Sequence, residues 1–217
     1  MKNKTIIIGG SALFLICLFL IGGYFFKKSE INKYSEEVEK NRQKLLTEFA
    51  PLYGNKDAKV EIVEFLDPEC ETCRNFYPAV KKLIAEFDGK VKLFVRYAPF
   101  HKNSIQAIQI LEAARMQNKY WQTLEFFFQK QPEWGSHQKP QPELLWTYLP
   151  KLGLDVERIR QDMNHPQVIN QIETDMKDLK TFNIKATPTF FVNGKPLPTF
   201  GYGPLREAVK KAVEEAY

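Results

Sequence analysis

The chain has 217 residues, with 31 Lys and Arg against 26 Asp and Glu, a net charge of +5. Four of those basic side chains and none of the acidic ones lie in residues 1–28, so 27 basic face 26 acidic beyond them. The bulk is therefore close to neutral, and a nucleic-acid-binding role loses its electrostatic basis.

Thr5 to Phe26 carries no charged side chain and is dominated by Ile, Leu and Phe, with Lys2 and Lys4 before it and Lys27 and Lys28 after. That run is long enough to span a bilayer. The rival is a cleaved signal peptide, whose apolar region is usually about 7–15 residues and ends in small residues. Phe25-Phe26-Lys27-Lys28 is no such ending. Cys17 follows the bulky Ile16 and reads as a membrane-embedded side chain rather than a lipidation site. Residues 1–28 are thus expected to be a signal-anchor segment crossing the membrane once.

Ser29 to Ala50 is polar and charged. Ile31, Tyr34, Val38, Leu45 and Phe49 recur there at roughly helical spacing, and a solvated connector is favoured over a helical stalk. From Pro51 to Tyr217 about 165 residues remain, a single-domain length with room for its own core. Lys59 to Leu66 reads as a buried strand closed by Asp67-Pro68. Phe76, Val80, Leu83, Ile84 and Phe87 then mark an amphipathic helix, and Val91 to Tyr97 a second strand. Residues 103–182 carry helical patterns broken by prolines and glycines, a helical insertion whose aromatics mostly form its own core. Thr189 to Val192 with Asn193-Gly194 is a strand with a hairpin turn, and Pro204 to Tyr217 a closing helix with Pro in its first turn.

Where the first strand hands over to the helix stands Cys70-Glu71-Thr72-Cys73. Two thiols at a helix N-terminus meet unpaired N–H groups and the positive end of the macrodipole, which favour a thiolate. A thiolate is the attacking species in disulfide exchange. A zinc site would need two more ligands, and His101, His137 and His165 are scattered singly, so no metal is expected. By strand alternation Glu64 shares a face with Val60, Ile62 and Leu66; burial there would raise its pKa and suit it to exchange a proton with Cys73.

The order strand, CxxC helix, strand, helical insertion, Thr187-Pro188 hairpin and final helix resembles the DsbA-type branch of the thioredoxin superfamily. The resemblance covers about Pro51 to Tyr217. It implies an α/β thioredoxin-like fold, Cys70 as nucleophile and Cys73 as resolving thiol. It also implies a buried acid at Glu64, a helix kink at Pro78, and a cis peptide at Pro188. Thr187, just before that proline, would pair with an extended client strand near the cysteines. The only cofactor implied is the redox-active Cys70–Cys73 disulfide itself.

Glu71 between the cysteines, with Glu69 and Asp67 ahead of them, is expected to raise the Cys70 pKa. The Thr72 hydroxyl, by contrast, is expected to donate to the thiolate. The chain lacks the Pro-His dipeptide of the strongly oxidising members, so a less oxidising disulfide is expected. The function these residues imply is disulfide exchange with exported proteins, at the extracytoplasmic (periplasmic) face of the inner membrane, where disulfides persist. A membrane oxidase resembling DsbB would recycle an oxidase. The alternatives are a reductase or isomerase fed by a DsbD-like reductant, and a non-enzymatic envelope chaperone.

Overall fold

The computed structural model describes the backbone of residues 2–217 apart from 137, and the side chains apart from those of 1–15, 17 and 137. The chain divides into two compact units, a helix ending at Lys40 and a folded unit from Asn41 to Tyr217.

The first unit is a single helix, α1 (Lys2–Lys40), of 39 residues. Among the described residues no helix is long and apolar enough to cross a membrane. The side chains of 5–15, like the Cys17 thiol, lie outside the described residues. The stretch from Ile16 to Phe26 alone is about half of the roughly 20 apolar residues a bilayer requires. Of the polar linker expected over residues 29–50, the part up to Lys40 is helical. No Gly or Pro interrupts Ser29 to Lys40, and its Glu and Lys residues are good helix formers.

The folded unit begins ahead of the expected Pro51. Leu45 is buried, and the carbonyls of Lys44 and Leu45 accept from Arg96 Nη1 at 2.7 and 3.1 Å. Its frame is a five-stranded mixed sheet in the order β1-β3-β2-β4-β5. The strands are β1 (Leu52–Gly54), β2 (Val60–Leu66), β3 (Val91–Tyr97), β4 (Thr189–Val192) and β5 (Lys195–Pro196). Only β2 and β3 run parallel, joined by α2 (Glu71–Glu86); β1 pairs antiparallel with β3, and β4 with β2 and β5. β1 was not legible beforehand, because three residues carry no measurable period.

One face of the sheet presents Ile62, Glu64 and Leu66 of β2, Leu93 and Val95 of β3, and Phe190 of β4, all buried. α2 lays Val80, Leu83 and Ile84 on this face, and α8 (Tyr202–Ala216) adds Leu205 and Val209 to the same core. The insertion comprises α3 (Ser104–Met116), α4 (Tyr120–Trp134), α5 (Leu144–Tyr148), α6 (Val156–Asp162) and α7 (Pro166–Thr181). Tyr120, Phe127, Phe128 and Trp134 are buried and extend the same core, while Trp121, Phe126 and Trp146 pack at its edge.

The opposite face is aromatic and charged. Phe65, Phe182 and Phe191 pack together, and the Arg96 guanidinium lies over the Phe65 ring. Fully buried Arg96 pairs with Asp175 and Asp178 of α7, and Asp175 Oδ2 also accepts the Tyr97 N–H at 3.0 Å. This pairing ties α7 to β3, so both faces of the central strands are covered. That is why β2 is buried almost throughout rather than at alternate residues.

Candidate active site

β2 ends at Leu66 and the chain turns through Asp67-Pro68-Glu69 into α2. The Cys70 N–H closes that turn onto the Asp67 carbonyl at 3.1 Å. Cys70 is the N-cap of α2, with φ −76° and ψ 122°, and therefore sits where the first N–H groups of the helix have no intrahelical partner. Cys73, one turn in, is fully buried. Both are free thiols.

The two thiols are pushed in opposite directions. The Cys70 pKa falls from 9.0 to about 5, first through the hydrogen bond from Cys73; burial opposes this, while the Thr187 side chain and the backbone N–H groups of Cys73 and Thr72 reinforce it. Burial, with that same bond to Cys70, raises Cys73 well above the ordinary thiol range. Cys70 thus favours the thiolate form, and Cys73 holds its proton.

Thr187 approaches from the far end of the chain. The Thr187–Pro188 peptide is cis, and the Thr187 carbonyl accepts from Cys70 Sγ at 3.4 Å. Pro188 is buried and Thr187 half-buried immediately before β4. Phe190, two residues on, stacks on Phe76 of α2, which stacks in turn on the exposed Phe200, so an aromatic edge leads away from the cysteines.

Glu64 lies beneath the pair, in register with Val95 on one side and Phe190 on the other. It is buried, and neither carboxylate oxygen has a hydrogen-bond partner. Desolvation, with the Cys70 charge, pushes its pKa from 4.5 to about 8. It also acts electrostatically on Cys73. At neutral pH Glu64 therefore holds a proton beside Cys73.

The acidic flank behaves otherwise than expected. Asp67 Oδ1 accepts from the Glu69 N–H and the Ser104 hydroxyl, and Asp67 Oδ2 from the N–H groups of Phe100 and His101. Glu69 accepts from the backbone and side chain of Asn103, each at 2.7 Å. These carboxylates fasten the CxxC turn to the loop after β3, and their charge is spent on those donors. Glu71 and Thr72 are exposed, where water screens the Glu71 charge. Thr72 contributes its backbone N–H where the hydroxyl was expected. The expected rise in the Cys70 pKa is therefore reversed.

Two residues near the cysteines escaped the sequence reading as site residues. His101, one of the three scattered histidines, places Nδ1 2.7 Å from Asp67 Oδ2. Burial acts to lower its pKa, but the Asp67 hydrogen bond and charge, with Cys70 and Glu69, raise it overall. Gln131 of α4 donates to the carbonyls of Pro68 and Cys70 at 2.8 and 3.0 Å. No motif marks either residue, because each meets the turn through contacts distant in sequence. A cavity of about 480 Å³ between α2 and α4, lined by Arg74, Tyr77, Pro78 and Phe128 among others, contains neither cysteine.

The sequence family described as Thioredoxin matches residues 46–211. A thioredoxin-like oxidoreductase from Silicibacter pomeroyi DSS-3 is similar, at 28% identity and a TM-score of 0.69 over 80% of this chain and 96% of that one. BdbD from Bacillus subtilis is 28% identical, with a TM-score of 0.66 over 76% and 94%. The thiol-disulfide exchange protein alpha-DsbA2 from Wolbachia pipientis shares the fold, with a TM-score of 0.70 over 84% and 97% at 20% identity. A curated relative named Na(+)/H(+) antiporter NhaA, from Herminiimonas arsenicoxydans, is 35% identical over 144 residues. That match takes in 66% of this chain but only 22% of the relative, and the transport in its name is a property of that longer protein.

Proposed function

The chain belongs to the thioredoxin family, and on that premise we propose that it is an extracytoplasmic thiol-disulfide oxidoreductase that forms disulfides in exported proteins. The observation that carries the reading is Cys70 at the N-cap of α2 with Cys73 buried one turn in, an arrangement in which the Cys70 pKa falls to about 5 and Cys73 stays protonated. Stabilising the reduced form makes the corresponding disulfide a stronger oxidant.

In the oxidising direction a client thiolate attacks Cys70 Sγ, the Cys70–Cys73 bond breaks, and its electron pair leaves on Cys73. Protonated Glu64 supplies the proton that Cys73 takes up. The client's second thiolate then attacks the client sulfur of the mixed disulfide and expels the Cys70 thiolate. Two electrons have passed from the client dithiol, now a disulfide, to the cysteine pair. A quinone-linked membrane oxidase resembling DsbB takes those electrons and restores the disulfide. The client runs as an extended segment past Thr187, with apolar side chains against exposed Phe200. The uncharged run from Thr5 to Phe26, within α1, supports a membrane anchor that keeps the folded unit outside the cytoplasm.

The test is the redox equilibrium of the full chain against glutathione buffers, with the Cys70 thiolate titrated in parallel. An equilibrium well on the oxidising side of glutathione with a midpoint near 5 supports an oxidase. A reducing potential removes the oxidase reading and leaves a reductase fed by a membrane electron donor.

A further inference from the structure

Gln131 stands in the last turn of α4, about 60 residues from the motif, yet its side chain reaches both carbonyls that bracket Glu69 and Cys70. Nε2 donates to Pro68 O at 2.8 Å and to Cys70 O at 3.0 Å. The residue is 1% exposed, and its Oε1 is buried without a partner. A buried amide satisfied on one side only is a cost that an apolar residue of the same length would not carry, and such groups in native proteins call for a reason. The surrounding packing holds it there. Gly135, one turn on, lets α4 close onto the motif, since a Cβ at that position would come within 3.3 Å of both Glu69 Cγ and Gln131 Cγ.

The Cys70 carbonyl also accepts the Arg74 N–H at 3.1 Å, the first bond of α2. Two donors from different elements therefore fix the plane of the Cys70–Glu71 peptide. That peptide opens the turn whose next N–H groups, those of Thr72 and Cys73, hydrogen-bond the Cys70 sulfur. The primary amide also turns its positive end towards the peptides beside the sulfur, and in a buried site such an oriented dipole acts with little screening.

We propose that Gln131 is a positioning residue for disulfide exchange, holding the Pro68 and Cys70 peptides so that Cys70 Sγ stays at the focus of the Thr72 and Cys73 N–H groups. The assignment rests on the exchange reaction proposed for Cys70 and Cys73. It gives the helical insertion a part in the chemistry, because α4 reaches the motif from outside the strand–helix–strand unit.

The test is Gln131→Met in the full chain, which keeps length and volume and removes both donors. The Cys70 thiolate midpoint is expected to rise by about one pH unit, and the equilibrium constant with glutathione to move about tenfold against the thiol form, the effect of one hydrogen bond near a charge. A merely structural role would lower the melting temperature and leave both readouts in place, and that result overturns the proposal. Failure of the wild-type chain to exchange with glutathione removes the underlying reaction and this assignment with it. A wild-type chain that exchanges, with an indistinguishable Met variant, removes the assignment alone. Should the variant not fold, the wild-type protein decides: the Gln131 side-chain amide resonance is expected to titrate with the Cys70 midpoint while that of exposed Gln129 does not. A Gln131 resonance blind to that midpoint overturns the proposal.

Discussion

Replacing Glu64 by Gln should change how the stability of the reduced protein depends on pH, with a sign set by two opposed titrations. Glu64 titrates at about 8 when folded against an ordinary 4.5, so between those values the folded chain holds a proton that the unfolded chain has lost. Its contribution is fully present below 4.5 and is lost as pH rises through 8, at about 1.4 kcal/mol per pH unit. Cys70 does the reverse. Its folded value of about 5 lies below an ordinary 9.0, so its contribution is present above 9.0 and is lost as pH falls through 5. Between pH 5 and 8 the two slopes nearly cancel. His101, whose pKa is raised, adds a falling slope above its ordinary 6.5, but it does so equally in wild type and variant. The informative quantity is therefore the difference between Glu64→Gln and wild type, read by urea denaturation of the reduced full chain at several pH values. That difference is expected to grow in favour of the variant by about 3 kcal/mol from pH 5 to 7. A constant difference across that range would falsify the reasoning, since it would mean that Glu64 is ionised at neutral pH and holds no proton for Cys73.

Alkylation separates the two thiols. Iodoacetamide should modify Cys70 with a half-maximal rate near pH 5 and leave Cys73 unreacted at pH 7, and mass spectrometry showing equal labelling would contradict the opposed shifts. Arg96→Leu strands the Asp175 and Asp178 carboxylates against β3 and should cost about 3–5 kcal/mol in urea denaturation; a loss under about 1 kcal/mol would show that water reaches the pair. Gly54→Ala should destabilise by about 1–3 kcal/mol, because φ is +97° there and an added Cβ would stand 2.9 Å from the Val91 carbonyl oxygen. An unchanged melting temperature would show that β1 shifts freely on the sheet edge.

Legibility followed the range of each interaction. β2, α2, β3 and β4 lay close to where period and turn residues put them, because those signals arise within a few residues. Burial of Glu64 followed from alternation alone, since its neighbours on that face are all apolar. β1 was missed as too short to carry a period, and the helix through Lys40 was read as a connector because its apolar stripe is marginal. The acidic turn was read as a set of free charges near a thiol. In the folded chain Asp67 and Glu69 instead accept hydrogen bonds from Phe100, His101, Asn103 and Ser104, more than 30 positions away, and no local pattern announces those partners.

The sequence by itself determined the candidate reacting groups and the frame that presents them. A CxxC at a strand-to-helix junction, an acid on the buried face of that strand and a Thr-Pro ahead of a later strand are arrangements that neighbouring residues define. Tertiary structure decided how those groups titrate and what steers them. A thiol's pKa depends on every partner and charge within a few ångströms, and here Thr187, 117 residues along the chain, is one of the partners that shift Cys70. The direction of the Cys70 shift, the part played by the acidic turn and the reach of Gln131 into the motif were consequently settled only when the sheet and the insertion had brought them together.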